Sequence, residues 1–222
     1  MDLALQMLIG AVTGYLFGMI PTGAIVGRRF GVDLTRVGSG STGATNVLRT
    51  LGTRWAVVVL LADLLKGMAA VLFAGWLVGG VPWGPPTWGQ IMAASFAVIG
   101  HTYSPLLRFR GGRGIVTGGG GLLILSPVAF FVALPCGAVA ILLTRYVSLG
   151  SIVGALVAGA IVLWQGLSGT APGPFLFYGS AVPAFVIWAH RGNIKRLLSG
   201  TERKLSRGDR RRETGEARSP NS

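Results

Sequence analysis

Four short polar segments carry most of the groups in this chain that could bind or transfer an anion. The first is Val37-Gly38-Ser39-Gly40-Ser41-Thr42-Gly43-Ala44-Thr45-Asn46, followed by Arg49. Glycines let a backbone approach an anion closely and present several N–H groups to it. Ser39, Ser41, Thr42, Thr45 and Asn46 add side-chain donors, and Arg49 adds a guanidinium fork. That is the composition of an oxyanion or phosphate cradle, and equally of an ordinary loop of small polar residues. It is not a Walker A loop, because no Gly-Lys-Ser/Thr ending is present.

The second segment is His101-Thr102-Tyr103-Ser104-Pro105, then Arg108-Phe109-Arg110-Gly111-Gly112-Arg113-Gly114. Arginines among glycines suit a phosphorylated ligand, although Arg108 is as well explained as a membrane-surface anchor. An anchor needs no bare backbone, which sets Gly111-Gly112 apart. His101 is placed to cap or satisfy a neighbouring carbonyl. The third segment, Tyr146-Val147-Ser148-Leu149-Gly150-Ser151, offers hydroxyls where a helix would start, the usual place for N-caps.

The fourth segment is His190-Arg191-Gly192-Asn193-Ile194-Lys195-Arg196, running on to Gly200-Thr201-Glu202. His190 is positioned to act as a base or donor, and it shares a helical face with Asn193. Lys195 and Arg196 fit a snorkelling helix terminus. Carboxylates are scarce, at 7 Asp and Glu against 20 Lys and Arg. Two-carboxylate hydrolysis and a carboxylate-bound metal are therefore poorly supplied, and no metal site is expected. Asp63 alone lies well inside an apolar run, where it can pair with Lys66. The single cysteine, Cys136, excludes a disulfide framework and reads as a small core residue.

The elements that must position these segments are apolar. Hydrophobic residues make up 51% of the 222, and charged residues only 12%, too few for the surface of a soluble domain of this size. The solvent for so much apolar surface is lipid. Net charge is +13, yet the basic residues cluster at the ends of apolar runs and in the tail, without aromatic interleaving, so nucleic acid is not the expected partner. Five apolar stretches are clear: Leu3 to Val26, Trp55 to Val78, Trp88 to Leu107, Leu149 to Leu167 and Phe175 to Ala189. A sixth region, Ile115 to Thr144, is too long for one ordinary span and is interrupted at Ser126-Pro127.

Charge decides that region. Arg28, Arg29, Arg36, Arg49 and Arg54 follow the first span, and Arg108, Arg110 and Arg113 follow the third. The connections Gly79 to Thr87 and Ser168 to Pro174 carry no Lys or Arg. The positive-inside rule puts the basic segments in the cytoplasm, so Arg113 and Arg145 need an even number of crossings between them. The expected fold is an all-α, polytopic integral membrane protein of seven short transmembrane helices. Its N-terminus lies outside and its C-terminus in the cytoplasm. A five-span arrangement with Ile115 to Thr144 re-entrant keeps the same sidedness. Residues 1–200 are read as one membrane domain and residues 201–222 as a basic, disordered cytoplasmic tail near anionic headgroups.

Taken together, the stretches IPTGAIVGRRFGVDLTRVGSGSTGATNVLRTLG, GHTYSPLLRFRGGRGIVTGGG, YVSLGS and HRGNIKRLLSGTE make the chain similar to the acyl-phosphate–glycerol-3-phosphate acyltransferases of bacteria, the PlsY-type membrane enzymes. They occur in the family's order and spacing and cover nearly everything before the tail. The resemblance implies a multi-pass protein of the bacterial plasma membrane with a cytoplasmic active site. It implies transfer of a fatty acyl group from acyl phosphate to the 1-hydroxyl of glycerol 3-phosphate, giving 1-acylglycerol 3-phosphate and phosphate, without a metal or other cofactor. The soluble acyltransferase that makes acyl phosphate is then a plausible partner, alongside the two substrates and membrane lipids.

By the same resemblance, Ser39, Gly40, Ser41, Gly43, Thr45 and Asn46 fall in the family's phosphate loop. Arg49, with Arg110 or Arg113 and the intervening Gly111 and Gly112, matches the set that holds substrate phosphates. Ser148, His190 and Asn193 match the acyl-transfer centre. The family commonly has Asn at Ser41, Lys at Arg110 and Arg113, and often Glu at Gly192. Arg preserves charge and phosphate binding, Ser41 keeps a donor, and Gly192 removes a possible acid. No Ser-His-Asp arrangement is evident, so direct attack by glycerol 3-phosphate is expected, with His190 or a substrate phosphate taking the proton. A His-x4-Asp acyltransferase is excluded, because Leu106 and Lys195 stand five residues after the two histidines. The competing reading is a small transporter of a phosphorylated or anionic solute, for which an intramembrane Asp63–Lys66 pair would be apt.

Overall fold

The computed structural model describes residues 1–205; residues 206–222, with most of the basic tail, lie outside the described residues. Ten α-helices and a 3-10 turn are the only regular elements among the described residues. The first apolar stretch forms α1 (Leu3–Gly18) and then bends at Met19–Pro21 into the short α2 (Thr22–Arg29). Proline disfavours helical geometry in the residue before it and supplies no N–H of its own, which accounts for the break at Ile20-Pro21. The first polar segment then leads into α3 (Ala44–Leu51) and α4 (Thr53–Val78).

α5 (Trp88–Thr102) opens with a capping box. Gln90 N–H donates to Thr87 Oγ1 at 3.2 Å and Thr87 N–H to Gln90 Oε1 at 3.0 Å. It ends earlier than its apolar stretch, at Thr102, where Ser104-Pro105 begins the 3-10 turn. The disputed region divides into α6 (Ile115–Leu125) and α7 (Pro127–Thr144) at Ser126, whose hydroxyl accepts from Ala129 N–H at 3.3 Å and whose successor is proline at the first helical position. α8 (Val147–Leu167), α9 (Pro174–Ala189) and α10 (Arg191–Leu198) complete the order. Four helical stretches are long and apolar enough to cross a membrane: Leu3–Arg29 through the α1–α2 bend, Thr53–Val78, Pro127–Thr144 and Val147–Leu167. α6 and α9 are shorter apolar helices. Large apolar side chains such as Leu142, Leu143 and Trp76 face outward, as in a protein whose solvent is lipid.

In lipid the hydrophobic effect gives helices little reason to associate, so close backbone contact must. α1 presents Gly10, Gly14 and Gly18 to Gly89, Ala93 and Ala97 of α5, and a Cβ at any of the three would stand 2.0–2.2 Å from a carbonyl oxygen. The Gly118–Gly121 run belongs to the same kind of seam, with Gly120 of α6 on the Leu64 carbonyl of α4 and Gly67 of α4 on the Thr117 carbonyl. Between α4, α5, α6, α8 and α9 lies an apolar core that includes Val71, Ile91, Ile124, Val162 and Phe175.

Candidate active site

The structure gathers Arg49, Arg113, Ser148, His190 and Asn193 at one end of the bundle. It adds two residues that had been given no role there, Arg196 and Glu202. α10 ends at Leu198, and Gly200, at φ +70°, reverses the chain so that Thr201 and Glu202 N–H groups return to the Arg196 carbonyl. This turn drives the Glu202 carboxylate into the site. Its oxygens accept from Ser148 Oγ at 2.8 Å, Asn193 Nδ2 at 2.6 Å and Arg196 Nε at 2.7 Å. Burial pushes Glu202 up, but the bonds from Asn193, Ser148 and Arg196 outweigh it and hold the carboxyl below its usual range.

His190 sits at the α9–α10 junction and is 1% exposed. Its Nδ1 lies 2.8 Å from the Val186 carbonyl, which can only accept; Nδ1 is therefore the protonated nitrogen and Nε2 carries the lone pair. Burial lowers the imidazole to about 4; the Val186 bond opposes this, Arg113 adds to it and Glu202 opposes it. Asn193, one helical turn on, donates from Nδ2 to Glu202, so its Oδ1 is the acceptor, and that atom is buried without a hydrogen-bond partner among the described residues. Two acceptors, His190 Nε2 and Asn193 Oδ1, thus stand open in a field of cations. Arg113 is pushed down by burial and then by Arg196, with Glu202 opposing and Arg49 adding to the fall. Guanidinium groups crowded to that degree call for an anion.

The glycine loop reaches this site through α3. Gly38 and Gly40 have φ of +62° and +68°. A side chain at Gly38 would strike Asn46 Oδ1, which accepts from Ser39 N–H at 3.0 Å. Asn46 Nδ2 donates to the carbonyls of Leu34, Val37 and Ser41 at 2.8–3.1 Å. Asn46 is buried and fully bonded, so it shapes the loop. The hydroxyls of Ser39 and Thr45 make no hydrogen bond among the described residues, and Gly43 N–H is held by Ser41 Oγ at 3.3 Å. Thr45 and Arg49 lie four apart on α3 and share a face. Arg49 Nη2 donates to the Arg203 carbonyl at 3.2 Å.

Gly111 and Gly112 act differently from the anion-binding amides expected of them. Their N–H groups donate to the Thr102 and His101 carbonyls at 3.1 and 3.2 Å, and Cβ atoms would fall 2.0 Å from the His101 oxygen and 2.1 Å from its Nε2. The pair seats its loop on α5. Of the two flanking arginines, Arg113 joins the site, whereas Arg110 is exposed. The segment Thr201–Leu205, read from sequence as the start of a separate tail, is a strap. Leu205 N–H donates to the Arg145 carbonyl at 2.8 Å, Arg145 Nη2 donates to the Leu205 carbonyl at 2.6 Å, and Lys204 lies 5.3 Å from the Tyr146 ring centre. Glu202 is one of four acids in the basic terminal run, with Asp209, Glu213 and Glu216, so composition alone did not single it out.

Beside the polar site an apolar cavity of about 420 Å³ runs between α4, α6, α7, α8 and α9. Its walls include Ile115, Leu122, Phe130, Ala133 and Val182. Gly114, Gly150 and Val186 also line it; they stand one residue from Arg113, two from Ser148 and four from His190.

Fold and site together define a helical membrane protein in which a cationic, acceptor-bearing pocket adjoins an apolar groove. The glycerol-3-phosphate acyltransferase family model matches residues 8–200, and the chain belongs to that family, in its PlsY-type membrane form. A glycerol-3-phosphate acyltransferase of Thermus thermophilus is 46% identical over 200 residues, covering 86% of this chain and 91% of the relative. Glycerol-3-phosphate acyltransferase 1 of Deinococcus radiodurans is 42% identical over 207 residues, covering 91% and 98%. The crystal structure of PlsY (YgiH), an integral membrane glycerol 3-phosphate acyltransferase, in its glycerol 3-phosphate form, superposes with a TM-score of 0.79 at 34% identity, covering 90% of this chain and 96% of that one. The lysophosphatidic acid form gives 0.77. The chain is an acyltransferase of the membrane.

Proposed function

We propose that the chain transfers a fatty acyl group from acyl phosphate to the 1-hydroxyl of glycerol 3-phosphate at the cytoplasmic face of a bacterial plasma membrane. The observation that carries this reading is the meeting of two open acceptors, His190 Nε2 and Asn193 Oδ1, with the guanidinium groups of Arg49, Arg113 and Arg196 beside an apolar groove. The groove takes the acyl chain, and the arginines of α3, the 110–113 loop and α10 take the phosphates. The acceptors orient the two glycerol hydroxyls.

Acyl phosphate is a mixed anhydride and needs no help from the protein to become a good leaving group. The glycerol oxygen attacks the carbonyl carbon, the bond from that carbon to the phosphate oxygen breaks, and phosphate departs. Catalysis is then positioning plus stabilisation of charge on the carbonyl oxygen and leaving phosphate. His190, lowered to about 4, is too weak a base to be the final proton acceptor, whereas a phosphate with a second pKa near about 6 is better matched. The proton therefore ends on phosphate, and His190 holds the hydroxyl by accepting its hydrogen bond.

The same contacts support seven crossings, and the positive-inside rule then puts the N-terminus outside. Arg113 precedes α6 and Arg145 follows α7, and both meet residues of the strap, Glu202 and Leu205. An even number of crossings between them satisfies this, and Arg49 on Arg203 brings the first basic loop to the same end. The membrane domain then extends past residue 200 to take in the strap, Thr201–Leu205. A soluble acyl-phosphate-producing acyltransferase would deliver the labile donor at this face.

Purified protein given acyl phosphate, acyl-CoA and acyl carrier protein in parallel with labelled glycerol 3-phosphate should form lysophosphatidate from acyl phosphate alone. Turnover with acyl-CoA but not acyl phosphate overturns the donor. Single cysteines at Gly40 and Gly192 in a Cys136→Ala background should react with an impermeant thiol reagent from one side only, the same for both. Reaction from opposite sides ends the proposal.

A further inference from the structure

A second polar cluster lies away from the cationic pocket, inside the bundle, and the chemistry above does not use it. Asp63 and Lys66 of α4 and His101 of α5 are 1%, 6% and 8% exposed. Lys66 Nζ lies 2.7 Å from Asp63 Oδ1, 2.9 Å from the Ile20 carbonyl and 3.0 Å from His101 Nδ1. An ammonium has three N–H bonds, and here each has an acceptor, so His101 Nδ1 takes the accepting role. Thr22 Oγ1 donates to Asp63 Oδ1 at 2.5 Å, and Thr117 Oγ1 lies 3.2 Å from His101 Nδ1.

Charges buried in a membrane bundle are costly, and this set reaches both substrate loops. Lys66 and Thr22 fix the bend between α1 and α2, and Ser104 Oγ ties that bend to the second polar segment by donating to the Met19 carbonyl at 2.7 Å. One residue past Thr22, Gly23 packs so closely on the Thr42 carbonyl of the glycine loop that a Cβ would overlap it. On the other side, His101 carries the seat of Gly111-Gly112, and with it Arg113.

We infer that the Asp63–Lys66–His101 cluster is a positioning device. It sets the register of the glycine loop against the Arg113 loop, so that both grip their phosphate-bearing substrates at once. The inference rests on the proposed site. Simple helix glue could be replaced by apolar packing without loss, since exchanging a whole buried ion pair for hydrophobic residues is often neutral. A positioning device cannot be so replaced.

The test is the double variant Asp63→Leu/Lys66→Leu, which removes both charges and leaves neither orphaned. Expected is a melting temperature in detergent like that of the parent, with kcat/KM down about a hundredfold, carried by raised KM for glycerol 3-phosphate or acyl phosphate. Glue alone would change only the amount of active enzyme, and so apparent kcat, with KM unmoved. If the double variant does not fold, Thr22→Val decides, because it deletes only the hydroxyl that bonds Asp63. KM should rise about tenfold, and an unchanged KM overturns the inference. Arg49→Ala and Arg113→Ala separate the two readings. If both leave KM for both substrates unchanged, the site itself is misassigned. If they raise it while the cluster variants do not, only the cluster loses its role.

Discussion

The two polar clusters contain the same kinds of residue, a histidine, a carboxylate and a cation, yet differ in one respect. Around Lys66 every N–H has an acceptor, and the network closes on itself through Asp63, His101 and the Ile20 carbonyl. Around Glu202 the carboxylate is equally well bonded, but His190 Nε2 and Asn193 Oδ1 remain open. A buried acceptor left unpaired, as Asn193 Oδ1 is, costs stability, so a fold tolerates it where a ligand will complete it. Composition alone would rank the clusters together; valence separates a scaffold from a reaction centre.

The contrast can be broken most severely at His190. His190→Ala should lower kcat by about a hundredfold through loss of the hydroxyl's positioning, with far less effect on melting temperature than any single charge deletion at Asp63 or Lys66. Near-normal turnover would return His190 to the scaffold. Acid gives the next largest effect. The folded imidazole is at about 4 against 6.5 for the free side chain, so the unfolded chain binds the extra proton first. Stability from this group is complete above about pH 6.5 and lost as pH falls toward 4, by up to about 3 kcal/mol. Melting in detergent between pH 7 and 5 should show the decline, and His190→Asn should flatten it; an unchanged slope would mean that His190 titrates normally.

Glu202→Gln sharpens the comparison from the other side. It keeps the shape but removes the charge and turns one accepting oxygen into a donor, so at least one of the three bonds is lost and the rest weaken, and kcat/KM should fall about tenfold. Steady-state assays showing no change would reduce the strap to a passive covering. Smallest is Arg110→Ala, which should leave both KM values within about twofold because the side chain is exposed and outside the site. A rise equal to that of Arg113→Ala would put Arg110 back among the phosphate ligands.

The helices were largely legible. Apolar length, Ser126-Pro127 and the alternation of basic and uncharged connections marked most of their boundaries, because solvation in lipid is written residue by residue. The α1–α2 bend was partly visible in Pro21 but was covered by an apolar stretch that runs through it. Within the site, the family resemblance grouped Arg49 with Arg110 or Arg113 and named Ser148, His190 and Asn193, and the structure brings Arg49, Arg113, Ser148, His190 and Asn193 to one end of the bundle. What Asn46 and Gly112 do was not readable, since bonding a loop from inside and seating it on His101 depend on chain folded back over many residues. Likewise Lys66 was matched with Asp63 three residues away, while its bond to His101 crosses 35 residues and needs the helix register first.

The strap has a consequence for biogenesis. Glu202 follows every helix among the described residues, and the bonds that orient Ser148 and Asn193 wait for it. During synthesis the bundle can therefore insert and close its glycine seams before the pocket acquires its final hydrogen bonds. A chain ending at Gly200 would carry all ten of the described helices and lack the carboxylate that orients Ser148 and Asn193.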